Sequence, residues 1–122
     1  MQARKGINCS RLTSCGQESP VAEVASRHPK THGIVGDVSV KEDIHRIAMQ
    51  VTVALGGLDV LINNASSLGP VPLALLADTD CEELDTALAT NLSGPFRLTK
   101  ALLGALAAAA RAGRSSLVNQ CE

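Results

Sequence analysis

Residues 39–57 alternate apolar and polar positions with the period of an α-helix. Ser39 and Glu42 have the spacing of a capping box, in which each side chain bonds the backbone N–H of the other residue. Gly56 and Gly57 end the pattern. The sequence therefore predicts a helix that begins at the capping box, stops at the glycines and buries one face. The residues of that face are Ile44, Ile47, Ala48, Val51 and Leu55.

Two short segments on either side of this helix have the character of parallel strands. Leu58 to Ile62 is almost continuously apolar and follows the glycines directly, as expected of a strand buried on both faces. His32 to Val38, before the capping box, is a second short strand that contains two glycines. Strand, helix and strand together predict one α/β unit, and a parallel unit of this kind is almost always a right-handed crossover.

A second and longer helical pattern covers residues 79–113. Thr79 and Glu82 form another capping box, and Gly113 provides a stop. Gly94-Pro95 is expected to bend this helix, because proline removes a backbone donor. Its apolar side consists of Leu84, Leu88, Leu92, Phe96, Leu98, Leu102, Leu103 and Leu106. A further strand begins at Leu117 to Asn119.

The start of the chain is poorly patterned. It allows a short strand at Ile7 to Ser10 and a helix around Val21 to Ser26. We therefore divide the chain into a poorly patterned segment, residues 1–31, and a core, residues 32–122.

Composition narrows the class of protein. A chain of 122 residues with 45% hydrophobic content and net charge −1 is one soluble globular domain or a piece of one. The weak charge and the single phenylalanine argue against a nucleic-acid partner. Ala101 to Ala110 is too short to span a membrane, and no signal peptide is evident, so a cytoplasmic location is expected. The four cysteines form no Cys-x-x-Cys pair and no cluster with histidine, so no metal site is predicted.

Three motifs stand at or beyond the predicted strands and in the long helix. They are Gly36-Asp37-Val38, Asn63-Asn64-Ala65-Ser66 and Thr90-Asn91-Leu92-Ser93-Gly94-Pro95-Phe96. In this order and spacing they resemble the signatures of the short-chain dehydrogenase/reductase family, with Ser66 in place of the usual glycine of Asn-Asn-Ala-Gly. The resemblance implies an α/β fold with a doubly wound, Rossmann-type parallel sheet and flanking helices.

The resemblance also implies a nicotinamide cofactor, NAD or NADP, and assigns four residues to it. Asp37 would accept a hydrogen bond from the adenine amino group, and Val38 would offer its backbone N–H to the ring. Asn63 and Ala65 would line the dinucleotide channel. Local explanations stay open, because Asp37 can simply terminate a strand and Asn63 can hold a turn through its side chain.

The sequence contains fewer candidate residues for the phosphate groups of the cofactor. Arg11 lies where members that prefer NADP often carry an arginine for the 2′-phosphate. The dinucleotide pyrophosphate normally lies at a glycine-rich turn that opens a helix. No Gly-x-Gly occurs in residues 1–122, so any cofactor affinity of these residues is expected to be weak.

Asn91 is the candidate catalytic residue. The resemblance implies that its backbone carbonyl binds a water of the proton relay; the plainer alternative is a polar residue at a helix bend. The family's other catalytic groups are a serine, a tyrosine and a lysine, and the tyrosine exchanges a proton with the substrate oxygen. The sequence contains no tyrosine, and Gln120, Cys121 and Glu122 follow the last strand. The histidines, His28, His32 and His45, lie on the adenine side or on the crossover helix and are not expected to substitute.

The expected sheet is incomplete. In the order 3-2-1-4-5-6 the first strand lies between the second and the fourth, so its loss would leave a gap before Leu58 to Ile62. We expect either that Met1 to Ser10 enters this gap or that the sheet closes with altered pairing.

The resemblance implies an oxidoreductase that uses NAD(P) to reduce a small-molecule carbonyl or to oxidise an alcohol. Residues 1–122 themselves are expected to be inactive. One alternative is a non-catalytic interaction module that forms a homo-oligomer through helix 79–113, with Leu102, Leu103, Leu106 and Ala107 at the interface. Another is a truncated frame without a role.

Overall fold

The computed structural model describes residues 6–10, 26, 31–69, 71–113 and 116–119. Within them, the strands are β1 (Gly6–Ser10), β2 (Thr31–Val35), β3 (Val60–Asn63) and β4 (Ser116–Asn119). The helices are α1 (Lys41–Leu55), α2 (Cys81–Leu88) and α3 (Gly94–Arg111), with a 3₁₀ turn at Leu76–Asp78 and a π-helical turn at Ala89–Ser93. The helix expected around Val21 to Ser26 lies outside the described residues, apart from Ser26, which is helical.

The strands form two parallel pairs. β1 pairs with β2 from Gly6 opposite Thr31 onward, and β3 pairs with β4 from Val60 opposite Ser116 onward. The predicted strand at Ile7 to Ser10 is confirmed, and the other predicted bounds shift by a few residues. The second strand ends before Gly36 because the chain turns there, and the Val40 N–H donates to the Asp37 carbonyl at 3.1 Å.

The two pairs do not join into one sheet. In the part of the chain that the structure describes, β1 pairs only with β2 and β3 only with β4. The expectation that Met1 to Ser10 would enter the gap, or that the sheet would close with altered pairing, is therefore wrong for the described strands. The physical reason is that the helices anchor each pair separately, since α1 contacts β2 and α3 contacts β3 and β4.

Helix α1 buries the predicted face but begins differently. Its C-cap residue Gly56 has φ of 67°, a left-handed conformation that favours glycine, and the Gly56 N–H donates to the Thr52 carbonyl at 3.0 Å. The capping box at Ser39 is wrong, because Val40 is the N-cap and no side chain caps the helix. The Ser39 hydroxyl instead donates to Asp37 Oδ1 at 2.7 Å.

The long helical region runs from Cys81 to Arg111 in three segments. Its predicted capping box is also wrong, because Asp80 is the N-cap and the Thr79 hydroxyl donates to the Leu75 carbonyl at 3.0 Å. At the π-helical turn the Gly94 N–H donates to the Ala89 carbonyl, five residues back. This turn ends at Ser93, directly before Gly94-Pro95, where a bend was predicted.

One apolar core joins the helices to both strand pairs. Leu98, Leu102 and Leu106 of α3 pack with α1, with Ile34 of β2 and with Leu61 of β3. Leu102 and Leu106 were predicted at a partner interface, and that assignment is wrong because they are buried in their own chain's core. The other predicted apolar positions of the long helix are exposed: Leu84, Leu88, Leu92, Phe96 and Leu103. Among the described helices, none combines the length and apolar character that crossing a bilayer requires.

Candidate functional site

The turn after β2 holds the first two predicted cofactor residues. Asp37 Oδ1 accepts hydrogen bonds from the Ser39 N–H at 2.8 Å and from the Ser39 hydroxyl at 2.7 Å. Val38 is buried against the core. The Asp37 side chain therefore folds the turn on which it lies, as aspartate often does in turns.

This turn is tied to helix α1 by Asp43. The Asp37 N–H donates to Asp43 Oδ2 at 2.8 Å, and Arg46 Nη2 donates to Asp43 Oδ1 at 2.8 Å. The hydrogen bond from Arg46, followed by the one from the Asp37 N–H, holds the pKa of Asp43 below its ordinary value. Sequence reasoning missed Asp43, although an acidic residue in the first turn of a helix is a common signal.

Replacing Asp43 by asparagine is expected to reduce the free energy of unfolding by about 1 kcal/mol near neutral pH. The loss is modest because the Asp43 and Arg46 side chains are 28% and 41% exposed, and solvent screens the pair. Because the folded pKa is below the unfolded value of about 3.9, the carboxylate stabilises the fold above that value. The difference between wild type and D43N should then shrink as pH falls through the folded pKa.

Urea unfolding between pH 3 and pH 7 measures this difference. The control is Glu42→Gln, which removes one negative charge from the same turn and leaves the Asp37 and Arg46 bonds intact. A difference between wild type and D43N that stays constant across this range would contradict the assigned role.

A small cleft lies between the end of β3 and helix α3. Its volume is about 30 Å³, room for about one water, whereas ligand pockets commonly measure about 300–1,000 Å³. Three of the four predicted cofactor residues line it, and Asp37 stands beside it in the chain. The lining residues are Val38, Ile62, Asn63, Asn64, Ala65, Pro95 and Leu98. The cleft among the described residues is therefore much smaller than a common ligand pocket, but its lining brings Val38, Asn63 and Ala65 together.

Asn63 closes one side of this cleft. It is 7% exposed at the end of β3, and its Nδ2 donates to Thr99 Oγ1 of helix α3 at 3.3 Å. This hydrogen bond joins residues that are 36 positions apart in the sequence, so the Asn63 side chain holds β3 against α3. The local explanation, in which Asn63 holds a turn, did not predict this contact.

Asn91, the predicted catalytic residue, does not line the cleft but anchors the loop that leaves it. Its Oδ1 accepts from the Ser67 N–H at 2.7 Å, and its Nδ2 donates to the Ser67 carbonyl at 2.8 Å. Its backbone belongs to the π-helical turn, and Pro95 has no N–H to donate to the carbonyls of that turn. The side chain thus has a structural function, while the backbone carbonyl stands where helical hydrogen bonding is interrupted.

Replacing Asn91 by alanine is expected to lower the free energy of unfolding by about 1–2 kcal/mol, because it removes both bonds to Ser67. Hydrogen exchange of the Ser67 backbone amide should also be faster, because its acceptor, Asn91 Oδ1, is removed. Chemical denaturation and amide hydrogen exchange measure the two effects. Asn64→Ala, at an exposed position of the same loop, is the control and should change stability by less than about 0.5 kcal/mol. Unchanged protection of the Ser67 amide in N91A would contradict the prediction.

Gly94 brings the turn after β2 against helix α3. A Cβ placed on Gly94 would stand 2.7 Å from the Val38 carbonyl oxygen, which is closer than real contacts allow. Sequence reasoning placed Gly94 in a predicted bend and in the third motif, and did not predict a close contact there. The available signal was a glycine within a helical pattern, which often marks a close approach of backbone.

Comparison with known proteins identifies the family. The protein-family model described as short chain dehydrogenase matches residues 3–120 of the chain. The short chain dehydrogenase tazN of Aspergillus terreus is 35% identical over 112 residues, which make up 92% of this chain and 24% of that protein. The sepiapterin reductase of Chlorobaculum tepidum is 32% identical over 93 residues, 76% of this chain and 37% of that protein. The chain thus spans less than half the length of these relatives.

Solved structures agree with this assignment. A short-chain dehydrogenase from Streptomyces avermitilis matches with a TM-score of 0.73 and 28% identity, over 91% of this chain and 37% of that structure. The NADPH-bound carbonyl reductase from chicken fatty liver matches in fold with a TM-score of 0.78 and 23% identity, over 93% of this chain and 45% of that structure. The predicted incomplete Rossmann-type α/β fold is confirmed, and the chain belongs to the short-chain dehydrogenase family of oxidoreductases.

Proposed function

We propose that the cleft beside β3 is the adenine and ribose side of a nicotinamide-cofactor site, in an oxidoreductase whose complete form interconverts a carbonyl and an alcohol. The observation that carries the proposal is the convergence of Val38, Asn63 and Ala65 on one cleft, with Asp37 in the adjoining turn. In open α/β sheets, ligands bind outside the carboxyl ends of the strands, which is where these residues lie.

The residues present fit one part of the cofactor. Asp37 supplies a carboxylate for an adenine amino group, and its position is set by Ser39 and Asp43. Residues 1–122 contain no Gly-x-Gly turn for the pyrophosphate. We therefore expect these residues to bind NADPH or NADH weakly, with a dissociation constant of about 1 mM or higher.

Several relatives that are similar to this chain are named for different compounds, which supports a proposal of a reaction class and not of one substrate. Proteins at 31–33% identity are named for sepiapterin, retinol and glucose. Under this proposal the cleft contacts the cofactor and not the substrate. Enzymes that act on different substrates can therefore share it.

Nucleotide titration followed by amide NMR tests the cofactor site. Adenosine monophosphate and NADPH should shift the amide signals of Val38, Asn63 and Ala65, whereas nicotinamide mononucleotide should not. Asp37→Asn should weaken adenosine monophosphate binding, and Asp78→Asn, an exposed aspartate on the 3₁₀ turn, is the matched control. Shifts caused by nicotinamide mononucleotide and not by adenosine monophosphate would reverse the proposed orientation.

Residues 1–122 are proposed to have no turnover of their own, because they contain no tyrosine to exchange a proton with the substrate oxygen. The assay is NADPH oxidation with a panel of aldehydes and ketones, compared with heat-denatured protein. A rate that requires the carbonyl and rises in proportion to folded protein would disprove this part of the proposal.

A second candidate function is an interaction module that pairs through the long helix. Leu84, Leu88, Leu92 and Phe96 recur every four residues and are 41–67% exposed, so they form an apolar stripe outside the core. Sedimentation should then show a dimer that the double substitution Leu92→Lys with Phe96→Lys dissociates. A monomer at all concentrations would exclude pairing between copies of this chain.

A further inference from the structure

We infer that Ser39 is a positioning residue that makes the turn after β2 select an adenine base over a guanine base, because it occupies one oxygen of the Asp37 carboxylate. This inference rests on the proposed function, in which the base of the cofactor binds at the Asp37 turn. Ser39 acts through Asp37 and not by touching the base. The residue therefore sets the specificity of the site without belonging to its lining.

All polar atoms of Asp37 except one carboxylate oxygen already have partners inside the protein. The Asp37 N–H donates to Asp43 Oδ2 at 2.8 Å, and the Asp37 carbonyl accepts from the Val40 N–H at 3.1 Å. Asp37 Oδ1 accepts from the N–H and from the hydroxyl of Ser39, at 2.8 Å and 2.7 Å. Among the described residues, no group donates to Asp37 Oδ2. The turn thus fixes the carboxylate and leaves one oxygen for a ligand.

Ser39 uses the whole hydrogen-bonding capacity of Asp37 Oδ1. A carboxylate oxygen has about two lone pairs that accept hydrogen bonds, and the Ser39 N–H and hydroxyl take both. At 2.7–2.8 Å these bonds have the length of hydrogen bonds to an ionised group, which are roughly twice as strong as neutral ones. A ligand therefore meets a carboxylate that offers a single acceptor.

The next residue supplies a donor beside this acceptor. Val38 lines the cleft and is 7% exposed, and its N–H donates to no group among the described residues, although buried N–H groups nearly always have a partner. One edge of adenine has an amino donor next to a ring nitrogen that accepts, so adenine matches the pair of groups. Guanine has an oxo oxygen in place of that amino group and two N–H donors along the same edge. It would match a carboxylate with both oxygens free, which Ser39 prevents.

The charges at the turn also favour an amino group. Asp43 and Arg46 form an ion pair at 2.8 Å, so their charges offset each other and the negative charge of Asp37 remains. The Arg46 side chain lies against this turn, since a Cβ on Gly36 would stand 3.2 Å from Arg46 Nη2. A negative charge attracts the amino hydrogens of adenine and repels the oxo oxygen of guanine.

Nucleotide titrations of the whole chain, followed by amide NMR, test the inference. The wild type should bind adenosine monophosphate about tenfold more tightly than guanosine monophosphate, the effect of one mismatched hydrogen bond. Ser39→Ala frees one lone pair of Asp37 Oδ1 and should reduce this ratio about tenfold, chiefly through tighter guanosine monophosphate binding. Inosine monophosphate lacks the second donor of guanine and should gain little. Equal affinity of the wild type for the adenine and guanine nucleotides would overturn the inference without any variant.

Two further variants serve as controls. Ser39→Thr keeps the hydroxyl and should keep the wild-type ratio. Thr52→Val removes a hydroxyl near the other end of α1, which donates to the Ala48 carbonyl at 2.8 Å, and should keep the ratio as well. If Ser39 only stabilised the turn, Ser39→Ala would weaken both nucleotides equally. An unchanged ratio in Ser39→Ala would therefore refute the specificity role.

The same titrations distinguish failure of this inference from failure of the proposed function. If the ratio responds to Ser39→Ala and NADPH shifts the Asn63 and Ala65 amide signals, both are supported. If the ratio responds but NADPH leaves these two signals unchanged, the cofactor site fails and the base selectivity stands. If adenosine monophosphate shifts the Val38 signal and the ratio does not respond, only the role of Ser39 fails. If no nucleotide shifts the Val38 signal, both fail.

Discussion

Truncation of Leu102 to alanine is expected to lower the free energy of unfolding by about 2–5 kcal/mol. Leu102 is 2% exposed and lies on the face of α3 that packs in the core with helix α1. Alanine would leave a cavity that the two strand pairs and the helix layer cannot fill without separating. Because small domains have about 5–15 kcal/mol in total, this single change removes a large part of the stability.

Urea or thermal unfolding of L102A measures the loss. Its control is Leu103→Ala, the same truncation one residue along the helix, where the side chain is 57% exposed. We expect L103A to stay within about 0.5 kcal/mol of wild type. Equal losses in the two variants would show that the core does not lie on the Leu102 face. A loss in L103A that grows with protein concentration would favour pairing through this helix.

Substitution of Gly94 by alanine is expected to cost about 1–3 kcal/mol, the usual range for overpacking a close contact. The added Cβ would meet the Val38 carbonyl at 2.7 Å, and this neighbour is backbone, which cannot rotate away as a side chain can. The turn that carries Asp37 and Val38 would have to move away from α3. The cleft beside Ala65 should widen or distort as a result.

The matched control is Gly104→Ala in the same helix. A Cβ at Gly104 meets nothing within 4 Å, so only the helix propensity changes. Alanine should therefore stabilise this position by about 0.5–1 kcal/mol. We therefore expect G94A to lower the free energy of unfolding and G104A to raise it. Stabilisation by G94A would show that Val38 is not in contact with the helix.

The candidate site depends on three contacts between segments that are distant in sequence. Asp43 holds the Asp37 turn, Gly94 lets that turn meet helix α3, and Asn91 holds the loop at Ser67. Asp43, Asn91 and Gly94 stand around the cleft and do not line it, although Gly94 contacts the lining residue Val38. Variants at these positions should thus change stability and exchange first, and nucleotide binding only through the position of the wall.

The sequence by itself determined the local elements. The apolar spacing from Ile44 to Val51 predicted the buried face of α1, and Gly56 predicted its end, because helical periodicity and a left-handed stop are properties of neighbouring residues. The three motifs were sufficient to indicate the family. The capping boxes failed because a hydroxyl near a helix start has several possible partners, and Ser39 bonds to Asp37 instead.

Only the tertiary structure decided which apolar residues are buried and which strands meet. Leu102 and Leu103 are chemically identical, and their different burial depends on where α1 lies across α3. The close contact of Gly94 with Val38 and the pairing of β3 with β4 likewise arise from packing of segments far apart in the chain. Periodicity reports the spacing of residues along one element, whereas these features depend on distances between elements.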